Sequence, residues 1–194
     1  KQELSLSDGF VITVLFWIVL SVSGSIPFIL FGFGVVDSFF ESMSGITTTG
    51  ATVIAGLDDL PKSLLIYRQL LQWLGGMGLI VLAIAVMPLL GIGGGQLFKT
   101  QTPGPMSEQR LTPRITSTAR ALWSIYFVLT VLCIFAYRLA GMSYFDAVSH
   151  AFSTVSIGGF STHDLSIGFF DSLSIEIVCI TFMLLSAMSF AVHY

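Results

Sequence analysis

The sequence predicts an all-α membrane protein of four transmembrane helices plus two short re-entrant segments, arranged as two helix–short segment–helix repeats. Three observations carry that expectation. The 194-residue chain is 54% hydrophobic and only 10% charged, whereas a soluble domain carries about 25% charged residues. Its mean hydropathy of +0.89 is concentrated in four long oily runs. Between those runs stand two shorter stretches that share one register of acid, hydroxyl and glycine.

The first run lies between Asp8 and Asp37 and leaves 28 uncharged residues (37 − 8 − 1), where about 20 suffice for a membrane helix. Gly24, Pro27, Gly32 and Gly34 are expected to kink or fray its end. The second run lies between Arg68 and Lys99 and contains QLLQWLGGMGLIVLAIAVMPLLG. The third, ALWSIYFVLTVLCIFAY, has Trp123, Tyr126 and Tyr137 as expected interface anchors. The fourth begins near Ile175 and reads IEIVCITFMLLSAMSFAVHY without a polar tail, as a truncated span would. The lead-in KQELSLSDGF lacks the pattern of a signal peptide and reads as a chain beginning partway through a larger protein. Residues 1–90 are expected to form the first repeat, 91–113 a cytoplasmic linker and 114–194 the second repeat.

Charge sets the orientation. The loop after the second run carries Lys99, Arg110, Arg114 and Arg120 against Glu108, which makes it cytoplasmic. Both short stretches then lie on the outer side with Asp37, Glu41, Asp58, Asp59, Asp146, Asp164 and Asp171, and both termini lie inside. A net charge of −3 offers no basic surface for nucleic acid. Cys133 and Cys179 stand singly inside oily runs and are expected as buried thiols, not as a disulfide or metal pair.

The short stretches are DSFFESMSGITTTG and DAVSHAFSTVSIGG. Each is long enough for a half-helix of two to three turns. Non-helical backbone survives at membrane depth only when buried in protein or lining a water-filled cavity. Each stretch is therefore an outer loop or a re-entrant pore loop. Laid on one another without gaps, Asp37 falls on Asp146, Glu41 on His150, Ser44 on Ser153, Thr47 on Ser156, Gly50 on Gly159 and Thr52 on Ser161, an offset of 109 residues (146 − 37). The flanking runs repeat in the same order, as internal repeats do in transport proteins.

A half-helix from about Asp37 to Ile46 would point its C-terminal end, with its partial negative charge, at a cation. Thr47, Thr48, Thr49 and Gly50 would follow in extended form with carbonyls turned toward an axis. Rings of such carbonyls replace the hydration shell of a cation such as potassium. Threonine hydroxyls can tie the loop to neighbouring backbone. The second repeat offers Ser156, Ile157, Gly158 and Gly159 in the same places. Glu41 and His150 read either as pore-mouth groups or as helix groups hydrogen-bonded behind the loops. Asp37 and Asp146 read as helix caps. Arg68 is expected to snorkel to headgroups, with pairing to an acid of a short segment as the alternative.

LGGMG lets a neighbour approach closely; no strand precedes it, so it is not a nucleotide-binding loop. GIGGG reads as a flexible helix exit. TPGPM is an inner loop suited to docking a cytosolic partner or lying as a lipid-facing linker. His163 and Asp164 form only a weak metal-ligand pattern. An intramembrane enzyme using Asp146, His150, His163 or Asp164 is the runner-up function, and a partner-binding scaffold the third.

The runs FFESMSGITTTGAT, YRQLLQWLGGMGLIVLAIAVMPLLGIGG, TPGPM and AFSTVSIGGFSTHDLSIGFFDS resemble the Trk/Ktr/HKT superfamily of potassium transporters, nearest its bacterial TrkH-type membrane subunits. The resemblance spans nearly the whole chain. It implies four helix–pore loop–helix repeats around one pseudo-fourfold, potassium-channel-like pore, of which this chain looks like the first two. It implies potassium ligation by main-chain carbonyls of Thr47, Thr48, Thr49 and Gly50 and of Ser156, Ile157, Gly158 and Gly159, with Glu41, His150 and Arg68 as filter support. Potassium is then the ion carried, with no covalent cofactor. It further implies a homodimer, a cytosolic nucleotide-binding TrkA-like regulatory subunit and a bacterial inner-membrane location. Channel-like conduction and sodium- or proton-coupled symport are both open on these residues. In LLSAMSF, Ala187 and Ser189 stand where relatives often show glycine and asparagine. The family's gating loop belongs to a third repeat.

Overall fold

The computed structural model describes residues 6–86 and 111–188. GIGGG, TPGPM, Lys99, Glu108, Arg110 and Ser189 lie outside the described residues, so the readings placed on them do not meet the structure. Among the described residues every regular element is helical. The order is α1 (Leu6–Phe31), α2 (Val35–Ile46), a 3₁₀ turn (Leu57–Asp59), α3 (Lys62–Val86), α4 (Leu111–Leu139), α5 (Tyr144–Val155), a second 3₁₀ turn (Ser166–Phe170) and α6 (Leu173–Ala187).

Two helices, over Thr13–Phe31 of α1 and Ala119–Leu139 of α4, are long and apolar enough to cross a membrane, and α6 is apolar but shorter. Helix α1 runs four residues past Pro27 (31 − 27) before it ends. Its end and that of α4 are set by glycine, because Gly32 and Gly141 take φ of 111° and 109°. In each case the residue after the glycine donates six-to-one, Phe33 to Phe28 and Met142 to Tyr137, closing a Schellman turn. Leu30, Phe127, Leu132, Phe135 and Leu139 face outward, while Ser21, Ser25, Ser38 and Thr130 are buried. An outer face this apolar, with serines and threonine among the buried residues, suits helices bathed in hydrocarbon.

Helix α1 packs on α2, α4 packs on α5, and α3 touches both short helices. One apolar cluster joins Phe28, Ile46, Leu64, Leu65 and Leu71. The other joins Met77, Tyr126, Cys133, Tyr137 and Ile175. Tyr126 and Tyr137 are thus core residues and not interface anchors. The reason is that each phenol has a protein partner: Tyr126 donates to the Trp73 carbonyl at 3.0 Å, and Tyr137 pairs with Thr154 at 2.7 Å. Trp123 alone of the three is exposed.

The 109-residue offset is carried into the backbone. Helices α2 and α5 each have 12 residues, and their bounds differ by that offset at both ends (144 − 35, 155 − 46). Glycine pairs 32/141 and 50/159 and the non-glycine pair Thr48/Ile157 all have positive φ in the same places. Neither Asp37 nor Asp146 is the cap that the sequence suggested. Gly34 caps α2 without a side chain, and the Ser143 hydroxyl caps α5 by accepting from the Asp146 amide. Both acids stand one turn in, where the positive end of the helix still favours them.

Candidate functional site

Helices α2 and α5 end in the two loops singled out by the repeat, and each end is the same structure. Thr48 donates to Gly45 and Thr49 to Ser44; Ile157 donates to Thr154 and Gly158 to Ser153. These are Schellman turns whose left-handed residue is β-branched: Thr48 and Ile157 each have φ of 55°. The chain therefore does not leave the helix in extended form, as expected, but reverses tightly first. A non-glycine residue held there costs on the order of 1–3 kcal/mol and persists only where its surroundings over-determine it. Thr47 donates its hydroxyl to the Met43 carbonyl at 2.7 Å and pairs with Thr49 at 2.8 Å. Ser156 does the same to Phe152 at 2.8 Å. With turn and hydroxyl bonds directed back into the helices, no carbonyl of 47–50 or 156–159 accepts a hydrogen bond among the described residues.

The two loops meet. A Cβ added to Gly50 would stand 1.7 Å from the Gly158 carbonyl oxygen, and Gly50 has φ of 76°. Only glycine permits that approach. Gly159, the register partner of Gly50, has φ of 84° but open space around it.

Helix α3 is the wall behind both loops. A Cβ at Gly75 would meet the Ile46 carbonyl oxygen at 1.9 Å, and one at Gly76 would meet Ser156 Cβ at 3.0 Å. The LGGMG motif thus admits both short helices to the face of α3. One turn earlier, Gln72 is buried; its Oε1 accepts from the Phe160 amide at 3.0 Å.

Arg68 does not snorkel. It is 0% exposed and pairs with Glu41, also 0% exposed, at 2.6 Å. It donates from Nε to Glu41 at 2.7 Å, from Nη1 to the Ser161 carbonyl at 3.1 Å and from Nη2 to the Thr52 hydroxyl at 3.0 Å. Its guanidinium lies 4.3 Å over the Phe160 ring. The Glu41 carboxylate also accepts from the Thr52 hydroxyl at 2.8 Å and the Val53 amide at 3.2 Å. A buried ion pair is tolerable only when its remaining donors and acceptors are filled in this way. In the second repeat His150 occupies the Glu41 position. Its Nδ1 donates to the Asp146 carbonyl at 2.9 Å, and its Nε2 pairs with Ser161 Oγ at 2.9 Å. The register thus pairs 41 with 52 and 150 with 161, helix to post-loop hydroxyl. Ser161 serves both repeats, through its carbonyl to Arg68 and its hydroxyl to His150.

The segments after the loops also cross-link. The Asp164 carboxylate accepts from the Gly56 and Leu57 amides, each at 3.1 Å. The His163 ring donates from Nδ1 to Asp58, has Asp146 at 3.4 Å from Nε2 and stacks on Phe169. That hydrogen bond holds the Asp58 carboxyl below the usual carboxylate value, against a smaller opposing effect of desolvation. His163 and Asp164 are therefore joined to the first repeat's loop, and among the described residues no cluster of ligand-type side chains could hold a metal.

A family model for TrkH, described as a cation transport protein, matches residues 1–194. The Trk system potassium uptake protein TrkH of Halomonas elongata is 58% identical over 197 residues, covering all of this chain and 41% of that protein. The protein of the same name from Escherichia coli K12 is 52% identical with the same coverage. The crystal structure of the potassium transporter TrkH from Vibrio parahaemolyticus matches with a TM-score of 0.84 at 55% identity, over 100% of this chain and 38% of that one. The chain spans about two fifths of the length of these relatives.

Proposed function

Because the chain belongs to the TrkH family of cation transport proteins, we propose that it forms part of a pore that carries potassium across a membrane. The 47–50 and 156–159 loops supply main-chain carbonyls as two of four filter walls, and the remaining repeats of the longer protein supply the other two. One observation carries this reading: two loops 109 residues apart have one backbone geometry, down to the left-handed Thr48 and Ile157 and the closing glycines. Unpaired carbonyls at the end of a half-helix can stand in for the hydration shell of a cation. The names of the relatives, potassium uptake proteins and a potassium transporter, support potassium as the cargo.

The buried Glu41–Arg68–Ser161–His150 network holds the loops from behind and touches no ion. In the complete protein the loops face outward and the termini inward across a bacterial inner membrane. A homodimer and a cytosolic nucleotide-binding TrkA-like subunit complete the assembly. The family is one of transporters, so the enzyme reading of Asp146, His150, His163 and Asp164 is set aside.

The test is ion flux through the complete protein with its regulator in proteoliposomes. Rubidium and potassium are expected to pass and sodium to pass far more slowly, whereas residues 1–194 alone pass none selectively. Equal sodium and rubidium flux, or no flux with the regulator present, would remove the reading.

A further inference from the structure

Gln72 is an amide on the α3 face that both loops touch, one turn beyond Arg68. It is 0% exposed. The Phe160 amide donates to its Oε1 at 3.0 Å, which fixes the orientation of the carboxamide, because an N–H can only meet the oxygen. The nitrogen is buried with no hydrogen-bond partner among the described residues, beside both loops. There Nε2 lies 3.5 Å from where a Cβ of Gly50 would stand. The flat of the amide rests on the second loop: a Cβ on Gly158 would meet Gln72 Cδ, Oε1 and Nε2 at 2.4, 2.6 and 2.7 Å. One side chain thus rests on the closing segment of the second loop and lies beside that of the first, at the point where the Gly158 carbonyl abuts Gly50.

We infer that Gln72 is a positioning residue that sets the separation of the two loops, and through it the preference among cations. The inference rests on the filter reading above. Selectivity depends on how many carbonyls surround the ion and how far each can move. A wedge bonded to one loop and set beside the other restrains that movement, although it touches no ion. The glycine at 158 leaves room for it, and Gly75 and Gly76 bring α3 close enough for it to reach.

The experiment measures rubidium and sodium flux in proteoliposomes of the complete protein carrying Gln72→Leu or Gln72→Met. Leucine and methionine keep the volume but leave the Phe160 N–H without an acceptor. The rubidium-to-sodium ratio is expected to fall by about tenfold, as for one buried hydrogen bond lost, while saturating rubidium flux is largely kept. If leucine prevents folding, the flexible methionine decides. An unchanged ratio in the folded leucine or methionine variant, or a fall in saturating rubidium flux as large as the fall in the ratio, overturns the inference. If Gly50→Ala collapses the ratio and Gln72→Leu spares it, only the role of Gln72 falls. If Gly50→Ala also spares it, the filter reading falls with it.

Discussion

Gly50→Ala in the complete protein is expected to lower potassium uptake by about a hundredfold and to erode the preference for potassium over sodium. Two costs combine. A Cβ at this position stands 1.7 Å from the Gly158 carbonyl oxygen, and backbone cannot give way as a flexible side chain can, so overpacking of about 1–3 kcal/mol follows. The φ of 76° adds strain of roughly 1–2 kcal/mol for any residue with a Cβ. Together they force the two loops apart at their point of contact. Gly159→Ala is the internal control. Its φ of 84° carries the same strain but nothing lies within 4 Å, so its loss is expected near about tenfold, the equivalent of the strain alone. Uptake assays on cells lacking other potassium systems read both. Equal losses would mean that the contact with Gly158 is irrelevant, and wild-type uptake in Gly50→Ala would remove the loop from the pathway.

Glu41→Gln is the second large effect, and it acts on folding. The substitution keeps the shape but leaves the buried Arg68 guanidinium without its counter-charge. Breaking one side of such a pair costs about 3–5 kcal/mol, because a buried charge is left uncompensated. Arg68→Met strands Glu41 in the same way and also frees the Ser161 carbonyl and the Thr52 hydroxyl. Each single variant is expected to accumulate poorly and to unfold at markedly lower temperature in detergent. The double variant removes both charges, so its cost is expected to fall short of the sum by about 0.5–3 kcal/mol. Single variants as stable as wild type would mean that the network is ornamental. Strict additivity would mean that the two residues do not act on each other.

The repeat was legible because its markers are polar or small residues in oily surroundings. Asp37 and Asp146, Ser44 and Ser153, and Gly50 and Gly159 keep one spacing, and the structure carries that spacing to both ends of α2 and α5. What could not be read is the turn that ends each helix. Thr48 and Ile157 are β-branched, the residues least expected at positive φ, so their side chains conceal the left-handed bend. Tyr126 and Tyr137 were misplaced for a different reason. An aromatic near the end of an oily run has the same pattern whether it meets lipid or protein, and only partners such as Trp73 and Thr154 decide.

Arg68 shows the same ambiguity in a charged residue. Its place at the end of a span suits snorkelling, and 27 residues of sequence (68 − 41) separate it from the carboxylate that holds it. Gln72 left a signal that was available but unused. A buried amide oxygen inside an apolar helix calls for a donor, which Phe160 supplies, and Gln72 follows Arg68 by one turn on the face that LGGMG opens.

The most direct measurement of the central claim is a structure of the complete protein in rubidium, read for anomalous density. A peak bounded by the carbonyls of the 47–50 and 156–159 loops is expected, weakened in Gly50→Ala. A pore that conducts rubidium with no peak between these loops, and with its ion held elsewhere by side chains, would contradict it.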